Sequence, residues 1–349
     1  MDVFIQLFDL TLVLAFIVVI CVIFTNAIEH LGEKLNLSEG AVGSVLAAVG
    51  TALPETIVPV VAILGAYFAG ADLQKSNDIG IGAILGAPFM LGTLAFFVTG
   101  AAVYIYAKKG RRTLDMPVDT VVMFRDLHYF AFSFILAVGA SFLPSHKLKI
   151  FVAVALLFMY GLYVFKTLKK AITESEGGEE ELAALYFTKY IKTSPALEMP
   201  AIIVQLIFSL IGLIVLAHVF VGHLTNLAEI MKIPPLILSL ILTPIATELP
   251  EKLNSILWIR SKKDTLALGN ITGAMVFQSC IPTALGIILT PWVLNEYAVV
   301  NVIVVYLSVI VVYLNIVKNK GILKPNALIM GGLFYLIYFA FVLVKMYCH

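Results

Sequence analysis

The segments GTALPE (Gly50 to Glu55) and TPIATELPE (Thr243 to Glu251) each place a proline-glutamate pair inside a long apolar stretch. A carboxylate near the middle of a bilayer costs roughly 3 kcal/mol even on lenient insertion scales. Proline removes a backbone donor and disfavours helical geometry in the preceding residue, so nearby carbonyl groups lose their helical partners. Two interrupted helices with matched acids indicate a cation site; the alternative is a pair of neutral glutamic acids that hold helices together.

The composition is that of an integral membrane protein. Hydrophobic residues make up 61% of the 349 positions and charged residues only 13%, about half the charged fraction of soluble proteins. A net charge of +1 without a basic, aromatic-rich cluster gives no sign of nucleic-acid binding. The three cysteines predict no disulfide framework. No HExxH motif or nucleophile-base spacing lies near the buried acids, so we do not expect an enzyme.

Ten apolar runs have the length that crosses a bilayer. Lys and Arg number 17 in the odd-numbered loops and 5 on the other side, tails included. Because cytoplasmic loops hold the excess of basic residues, both termini are predicted on the extracytoplasmic side of the plasma (inner) membrane. The predicted spans cover residues 8–30, 41–68, 79–106, 127–143, 148–166, 200–221, 235–258, 266–290, 298–316 and 325–346.

The two halves of the chain form an internal repeat. A shift of 196 residues superposes Pro54-Glu55 on Pro250-Glu251, and GAILGA (82–87) matches GNITGA (269–274). Five spans per half is an odd number, so the halves must insert with opposite orientation. We therefore predict an all-α membrane protein with a first five-helix repeat at 1–170, an acidic cytoplasmic linker at 171–198 and a second repeat at 199–349.

The residues beside the two acids favour a hard cation. Thr51 and Thr247 stand four residues before Glu55 and Glu251, where each can add a hydroxyl or carbonyl oxygen on the same helical side. Two carboxylates with such oxygens suit Ca²⁺ or a similar divalent cation, whereas soft ligands would favour Zn²⁺ or Cu⁺. The cation is the substrate, and no cofactor is expected.

Glu248 and Lys252 lie four residues apart, the spacing of an ion pair on one helix face. Two roles are open for this pair. It can be a structural salt bridge that neutralises two costly charges. Alternatively, the lysine ammonium occupies charge space that a monovalent ion would take, or exchanges a proton.

These motifs resemble those of the Ca²⁺/cation antiporter superfamily, most closely its sodium/calcium exchanger branch, which exchanges Ca²⁺ for Na⁺. That family has two inverted five-helix repeats, each with a G-T-S-x-P-E and a G-x-x-x-G-S-N segment. The resemblance implies ten helices with broken helices 2, 3, 7 and 8 at the centre. It also implies that Glu55 and Glu251 are the central Ca²⁺ carboxylates and that Thr51 and Thr247 are carbonyl donors beside them.

The chain departs from the family pattern at several small oxygen donors. Ala52 and Glu248 stand where the family has serine. Gly86-Ala87-Pro88 and Gly273-Ala274-Met275 stand where it has Gly-Ser-Asn, and Leu91 replaces an amide or carboxylate. Sodium sites in the family draw on these donors, so the departures bear on Na⁺ coupling.

The leading interpretation is a secondary active antiporter that moves a divalent cation, Ca²⁺ first, in exchange for Na⁺ or H⁺ by alternating access. Gln278 is a candidate ligand near the second broken helix, and Asn254 is a candidate second-sphere group. The alternatives are a Na⁺-independent or proton-coupled exporter of Mg²⁺ or Mn²⁺, a cation channel, or a transport-inactive relative. The expected partners are inorganic cations and the lipid bilayer, and a monomer is compatible with the pattern. Asp126, at the start of the fourth span, is most simply an interfacial anchor or helix cap.

Overall fold

The computed structural model describes residues 2–52, 56, 73–173, 184–188, 195–230 and 248–347. Within these residues the fold is helical apart from one two-stranded antiparallel ribbon. In chain order the helices are α1 (Asp2–Lys34), α2 (Glu39–Thr51), α3 (Leu73–Met90, continued through Leu91–Ala95 and Phe96–Lys108), α4 (Thr120–Ser141), α5 (His146–Thr173), α6 (Pro195–Ile230), α7 (Leu249–Arg260), α8 (Asp264–Leu289), α9 (Glu296–Lys318) and α10 (Pro325–Tyr347). The strands are β1 (Met116–Pro117) and β2 (Ile322–Leu323).

Eight of these helices are long and apolar enough to cross a membrane: all except α2 and α7. They coincide with eight of the ten predicted spans. The described parts of α2 and α7 are shorter, and the predicted second and seventh spans continue into residues outside the described ranges. The ten-span count, the repeats and the broken helices stay predictions. The acidic run at 174–181 of the predicted linker also lies outside the described residues.

The odd-numbered connections meet at one end of the molecule. Lys34, after α1, pairs with Glu198 at the start of α6 (2.7 Å). Between α7 and α8, Lys263 pairs with Glu29 (3.2 Å), and Arg112, after α3, reaches Asp264. The connection after α3 also pairs with the one after α9, through the β1–β2 ribbon. This clustering is what alternating membrane crossings produce.

The even-numbered connections and the chain ends make their contacts elsewhere. Lys149, at the start of α5, donates to the Trp292 carbonyl group beyond α8 (3.2 Å). Near the C-terminus, Lys345 pairs with Glu296 at the start of α9 (2.8 Å). His223 in α6 contacts Gln6 in α1 (2.9 Å). Since the other end of α1 meets the start of α6, these two helices run antiparallel, as inverted halves require.

Helix α8 occupies the centre of the bundle. Nearly every residue between Asp264 and Ile287 is buried, whereas α1, α5 and α6 present apolar side chains outward, as lipid-facing helices do. The centre of the fold is therefore a helix from the second half, enclosed by helices from both halves.

Glycines allow α2 and α8 to cross in backbone contact. A Cβ atom at Gly273 would lie 2.2 Å from the Ser44 carbonyl oxygen, and one at Gly43 would lie 2.6 Å from the Leu266 carbonyl oxygen. At the crossing, α2 widens into a π-helical segment, Val42–Ala47. This close approach brings the C-terminal part of α2 beside the polar residues of α8.

The interpretation of Asp126 as an interfacial anchor or helix cap was wrong. The fourth helix begins at Thr120, earlier than predicted, because Asp119 caps it by accepting hydrogen bonds from the Val121 and Val122 N–H groups (2.8 and 3.1 Å). Asp126 therefore lies almost two turns inside the helix, where it is fully buried.

Candidate cation site

Both glutamates of the second motif lie at the start of α7. Glu248 is the residue before the helix, Pro250 occupies the first turn and Glu251 follows it. Proline is tolerated there because the first N–H groups of a helix have no intrahelical partner. The positive end of the helix dipole also favours nearby carboxylates. The local sequence thus explains how two acids can be held in an apolar interior.

The carboxylate of Glu251 is completely buried, and neither of its oxygens has a hydrogen-bond partner among the described residues. The same holds for Oε1 of the fully buried Glu248. Buried polar atoms are nearly always hydrogen-bonded, and an unpartnered charge is the costliest exception. Three carboxylate oxygens are therefore available to a ligand in the part of the site that the structure describes.

Thr51 and Asn270 connect the two halves at this place. The Thr51 hydroxyl, at the end of α2, lies 3.0 Å from the Ala47 carbonyl oxygen and 3.4 Å from Asn270 Oδ1 in α8. Asn270 Nδ2 donates to the Glu251 carbonyl oxygen (3.3 Å) and is 3.5 Å from Ser255 Oγ. The Asn270 side-chain amide thus bridges the Thr51 hydroxyl and the Glu251 carbonyl group, and Thr51 lies beside Glu251. Sequence reasoning missed Asn270, although an amide between the two glycines of GNITGA was the available signal.

The predicted Glu248–Lys252 contact is present. Lys252 Nζ lies 3.0 Å from Glu248 Oε2, and both side chains are buried. Pro250 does not disturb the register, since the Lys252 N–H still donates to the Glu248 carbonyl oxygen (3.3 Å).

Asn254 and Gln278 are also buried, and within the described ranges their side-chain amides have no hydrogen-bond partner. Asn254 is three residues after Glu251 and shares its helix face. Gln278 is eight residues beyond Asn270 in α8, about 12 Å along the helix axis. Both amides remain candidates to interact with a cation or its water.

Glu55 and Thr247, the remaining predicted ligands, fall outside the described residues, so the predicted approach of Glu55 to Glu251 stays a prediction. In the part that the structure describes, no group of three or more His, Cys, Asp or Glu side chains is placed to hold a metal ion. Helix α1 borders this region, since a Cβ atom at Gly50, the residue before Thr51, would lie 2.9 Å from Cζ of Phe24 in α1.

A second polar centre, which sequence reasoning missed, surrounds Asp126. Its Oδ2 accepts hydrogen bonds from Ser44 Oγ in α2 (2.6 Å) and Thr272 Oγ1 in α8 (2.9 Å). Its Oδ1 accepts from the Tyr163 hydroxyl in α5 (3.0 Å) and from Arg125 Nη2 (2.8 Å). All these partners satisfy the carboxylate, so we interpret this centre as a structural junction of four helices.

A helical membrane protein in which the described helices bury carboxylate and amide groups without hydrogen-bond partners from the described residues has the construction of a transport protein for polar solutes. The family model for the sodium/calcium exchanger protein matches residues 6–169 and 201–347. The chain therefore belongs to the sodium/calcium exchanger family, within the Ca²⁺/cation antiporter superfamily, a family of transporters.

Curated relatives share about a quarter of the aligned residues. The inner membrane protein YrbG of Escherichia coli is 25% identical over 257 residues, 74% of this chain and 71% of YrbG. The putative antiporter CaxA of Alkalimonas amylolytica is 24% identical over 275 residues, 79% of this chain and 78% of CaxA. Among solved structures, the sodium-calcium exchanger NCX_Mj superposes with a TM-score of 0.72 at 20% identity, covering 97% of this chain and 99% of that one. This likeness shows the fold.

Proposed function

We propose that the protein is a secondary active antiporter that moves a divalent cation, Ca²⁺ first, in exchange for Na⁺ or H⁺ by alternating access. The cation binds Glu251 and Glu55, with Thr51 and Thr247 as further oxygen donors. Glu248 supplies a third carboxylate. A monomer holds every residue of this proposed site.

The observation that carries the proposal is the environment of the Glu251 carboxylate. Both of its oxygens are buried without a hydrogen-bond partner in the described residues, at a place where helices of both halves meet. A structural glutamate would find donors, as Asp126 does. Hard carboxylate and carbonyl oxygens are the preferred ligands of Ca²⁺.

The backbone around the site supports a cation as well. The helical segment Ala48–Thr51 ends at Thr51, and Ala52 leaves helical geometry (ψ 5°). The last carbonyl groups of a helix lack intrahelical partners and form the negative end of its dipole. The end of α2 therefore presents partial negative charge next to the start of α7, which carries the carboxylates.

The pair Glu248–Lys252 favours a second candidate, a Na⁺-independent or proton-coupled exporter of Ca²⁺, Mg²⁺ or Mn²⁺. An ammonium beside a site carboxylate occupies the kind of position that a small monovalent cation would take. The two candidates share one cation site; the second excludes Na⁺ as the coupling ion and admits Mg²⁺ and Mn²⁺ as substrates.

For orientation, we propose the plasma (inner) membrane with both termini on the extracytoplasmic side. The basic residues of the odd-numbered connections support this topology, as does the clustering of those connections at one end of the molecule.

Flux in proteoliposomes tests the proposal. Radiolabelled Ca²⁺ uptake is measured against an outward gradient of Na⁺, of protons, or of neither, with Mg²⁺ and Mn²⁺ as competitors. Glu251→Gln and Glu55→Gln should each lower uptake at least about tenfold, which corresponds to about 1.4 kcal/mol of lost cation binding. The matched control is Glu296→Gln, because that carboxylate is partly exposed and pairs with Lys345 away from the site; its uptake should equal the parental rate.

Parental uptake in both site variants would show that the site is wrong. Uptake that needs no counter-gradient and is not stimulated by cation on the opposite side would show that the protein is a channel and not an antiporter.

A further inference from the structure

We propose that Lys252 is a built-in counter-cation of the site: its ammonium replaces a bound monovalent cation, so that Glu248 can offer a ligand oxygen without adding net charge. This inference rests on the proposed function and specifies how the site is charge-balanced.

The two oxygens of the Glu248 carboxylate have different surroundings. Oε2 lies 3.0 Å from Lys252 Nζ, whereas Oε1 is buried and has no partner within the described residues. A pair that served only to neutralise charge would be expected to satisfy both oxygens with donors. The lysine holds one oxygen and leaves the other available to an ion.

The Glu251 carboxylate interacts electrostatically with the same pair of residues, Glu248 and Lys252. It lies within reach of the charges of both Glu248 and Lys252, and the three residues occupy the first turn of α7 and the residue before it. Glu248 and Glu251 are 0% exposed and Lys252 is 5% exposed. Charges this well shielded from water must be balanced locally.

The aligned positions of the first half lack both the acid and the lysine. With the shift that superposes the two motifs, Glu248 corresponds to Ala52 and Lys252 to Thr56. The second half thus adds one acid and one base, and the first half adds neither. The added pair is neutral, so Glu55 and Glu251 alone set the net charge, and one divalent cation balances it.

Removal of the lysine should create a binding site for a monovalent cation. In Lys252→Met the site carries one further negative charge, which a divalent ion alone leaves unbalanced. A monovalent ion such as Na⁺ should then bind beside Glu248 in the place of the ammonium, so Lys252→Met should bind more Na⁺ than the parental protein. Because neighbouring cations repel each other, Na⁺ should lower the Ca²⁺ affinity of Lys252→Met by about tenfold more than that of the parental protein, within the usual range of coupling between sites.

The experiment is equilibrium binding of radiolabelled Ca²⁺ to purified protein at constant ionic strength, with Na⁺ exchanged for choline. Direct binding of radiolabelled Na⁺ is measured in parallel. The double variant Glu248→Gln/Lys252→Met removes both added charges and should lose the added Na⁺ binding again. Lys252→Arg keeps the charge and should show the parental response to Na⁺.

A matched control removes a different buried lysine. Lys149 donates to the carbonyl groups of Pro291 and Trp292 (2.7 and 3.2 Å). These lie just beyond the end of α8, roughly 28 Å along that helix from Asn270. Lys149→Met should therefore gain no Na⁺ dependence, even if it is destabilised.

The inference is overturned if Lys252→Met binds Ca²⁺ with the parental dependence on Na⁺, or if the double variant binds Na⁺ as strongly as the single one. It fails separately from the proposed function. If the parental protein binds no divalent cation, the proposed function fails, whereas a gain of Na⁺ binding by Lys252→Met over the parental protein still supports the counter-cation.

Discussion

Replacement of Asp126 by alanine tests whether this carboxylate joins four helices. The change leaves the Arg125 guanidinium, whose side chain is 13% exposed, without its carboxylate. Loss of one partner of a buried pair costs about 3–5 kcal/mol, and the lower figure applies because the guanidinium keeps some access to water. Thr272 and Tyr163 retain backbone acceptors, Leu268 O at 3.0 Å and Ser44 O at 3.3 Å.

The Ser44 hydroxyl is the group that loses its acceptor. A hydrogen bond inside a membrane protein contributes about 0.6–1.7 kcal/mol. Together with the ion pair, Asp126→Ala should lower the free energy of unfolding by about 4 kcal/mol. The measurement is SDS-induced unfolding in mixed micelles, followed by circular dichroism.

Asp119→Ala is the matched control, since it removes an aspartate from the same helix. Asp119 is an exposed cap, and its loss should cost about 1 kcal/mol. In Arg125→Met/Asp126→Ala the unpaired charge is also removed, so the free energy of unfolding should be about 3 kcal/mol higher than that of Asp126→Ala. The reasoning is refuted if Asp126→Ala costs no more than Asp119→Ala, or if the double variant is as unstable as the single one.

Two further substitutions test the packing of α8. Gly273→Ala should destabilise the protein by about 1–3 kcal/mol, because its Cβ would lie 2.2 Å from the Ser44 carbonyl oxygen and 2.5 Å from the Ser44 Cα, neither of which can rotate away. Arg112→Met should cost about 3–5 kcal/mol in the same unfolding assay, because it leaves the buried Asp264 carboxylate without the Arg112 Nη1 and Nη2 groups, which donate to its two oxygens at 2.6 and 2.8 Å.

The controls for these two changes come from the same molecule. Gly139 in α4 has nothing within 4 Å of an added Cβ, so Gly139→Ala should be neutral or stabilising by up to about 1 kcal/mol. Lys324, whose pair with Asp115 is largely exposed, should tolerate methionine at a cost of about 0–1 kcal/mol. Equal losses in each test and its control would contradict the assigned packing.

Local patterns in the sequence were sufficient to predict the features that depend on a single helix. Apolar runs of membrane-spanning length located eight helices that the structure contains. The spacing of Glu248 and Lys252 predicted their contact correctly because residues four apart meet on any α-helix. The repeat of proline and glutamate also pointed to Glu251, whose carboxylate is buried and unpartnered within the described chain.

Contacts between distant segments could not be read from those patterns. Thr51 and Asn270 are 219 residues apart, and Asp126 is 82 residues from Ser44 and 146 from Thr272. A polar residue near a predicted span boundary is interpreted as an interfacial anchor as long as the true start of the helix is not known.

The sequence by itself determined that this chain crosses a membrane and carries two acid motifs, because length, hydropathy and helical spacing are local properties. Only the tertiary structure decided that other helices satisfy Asp126, whereas among the described residues no donor reaches the Glu251 carboxylate. That difference depends on which helices cross: the glycine contact between α2 and α8 places Ser44 and Thr272 side by side, where both donate to Asp126.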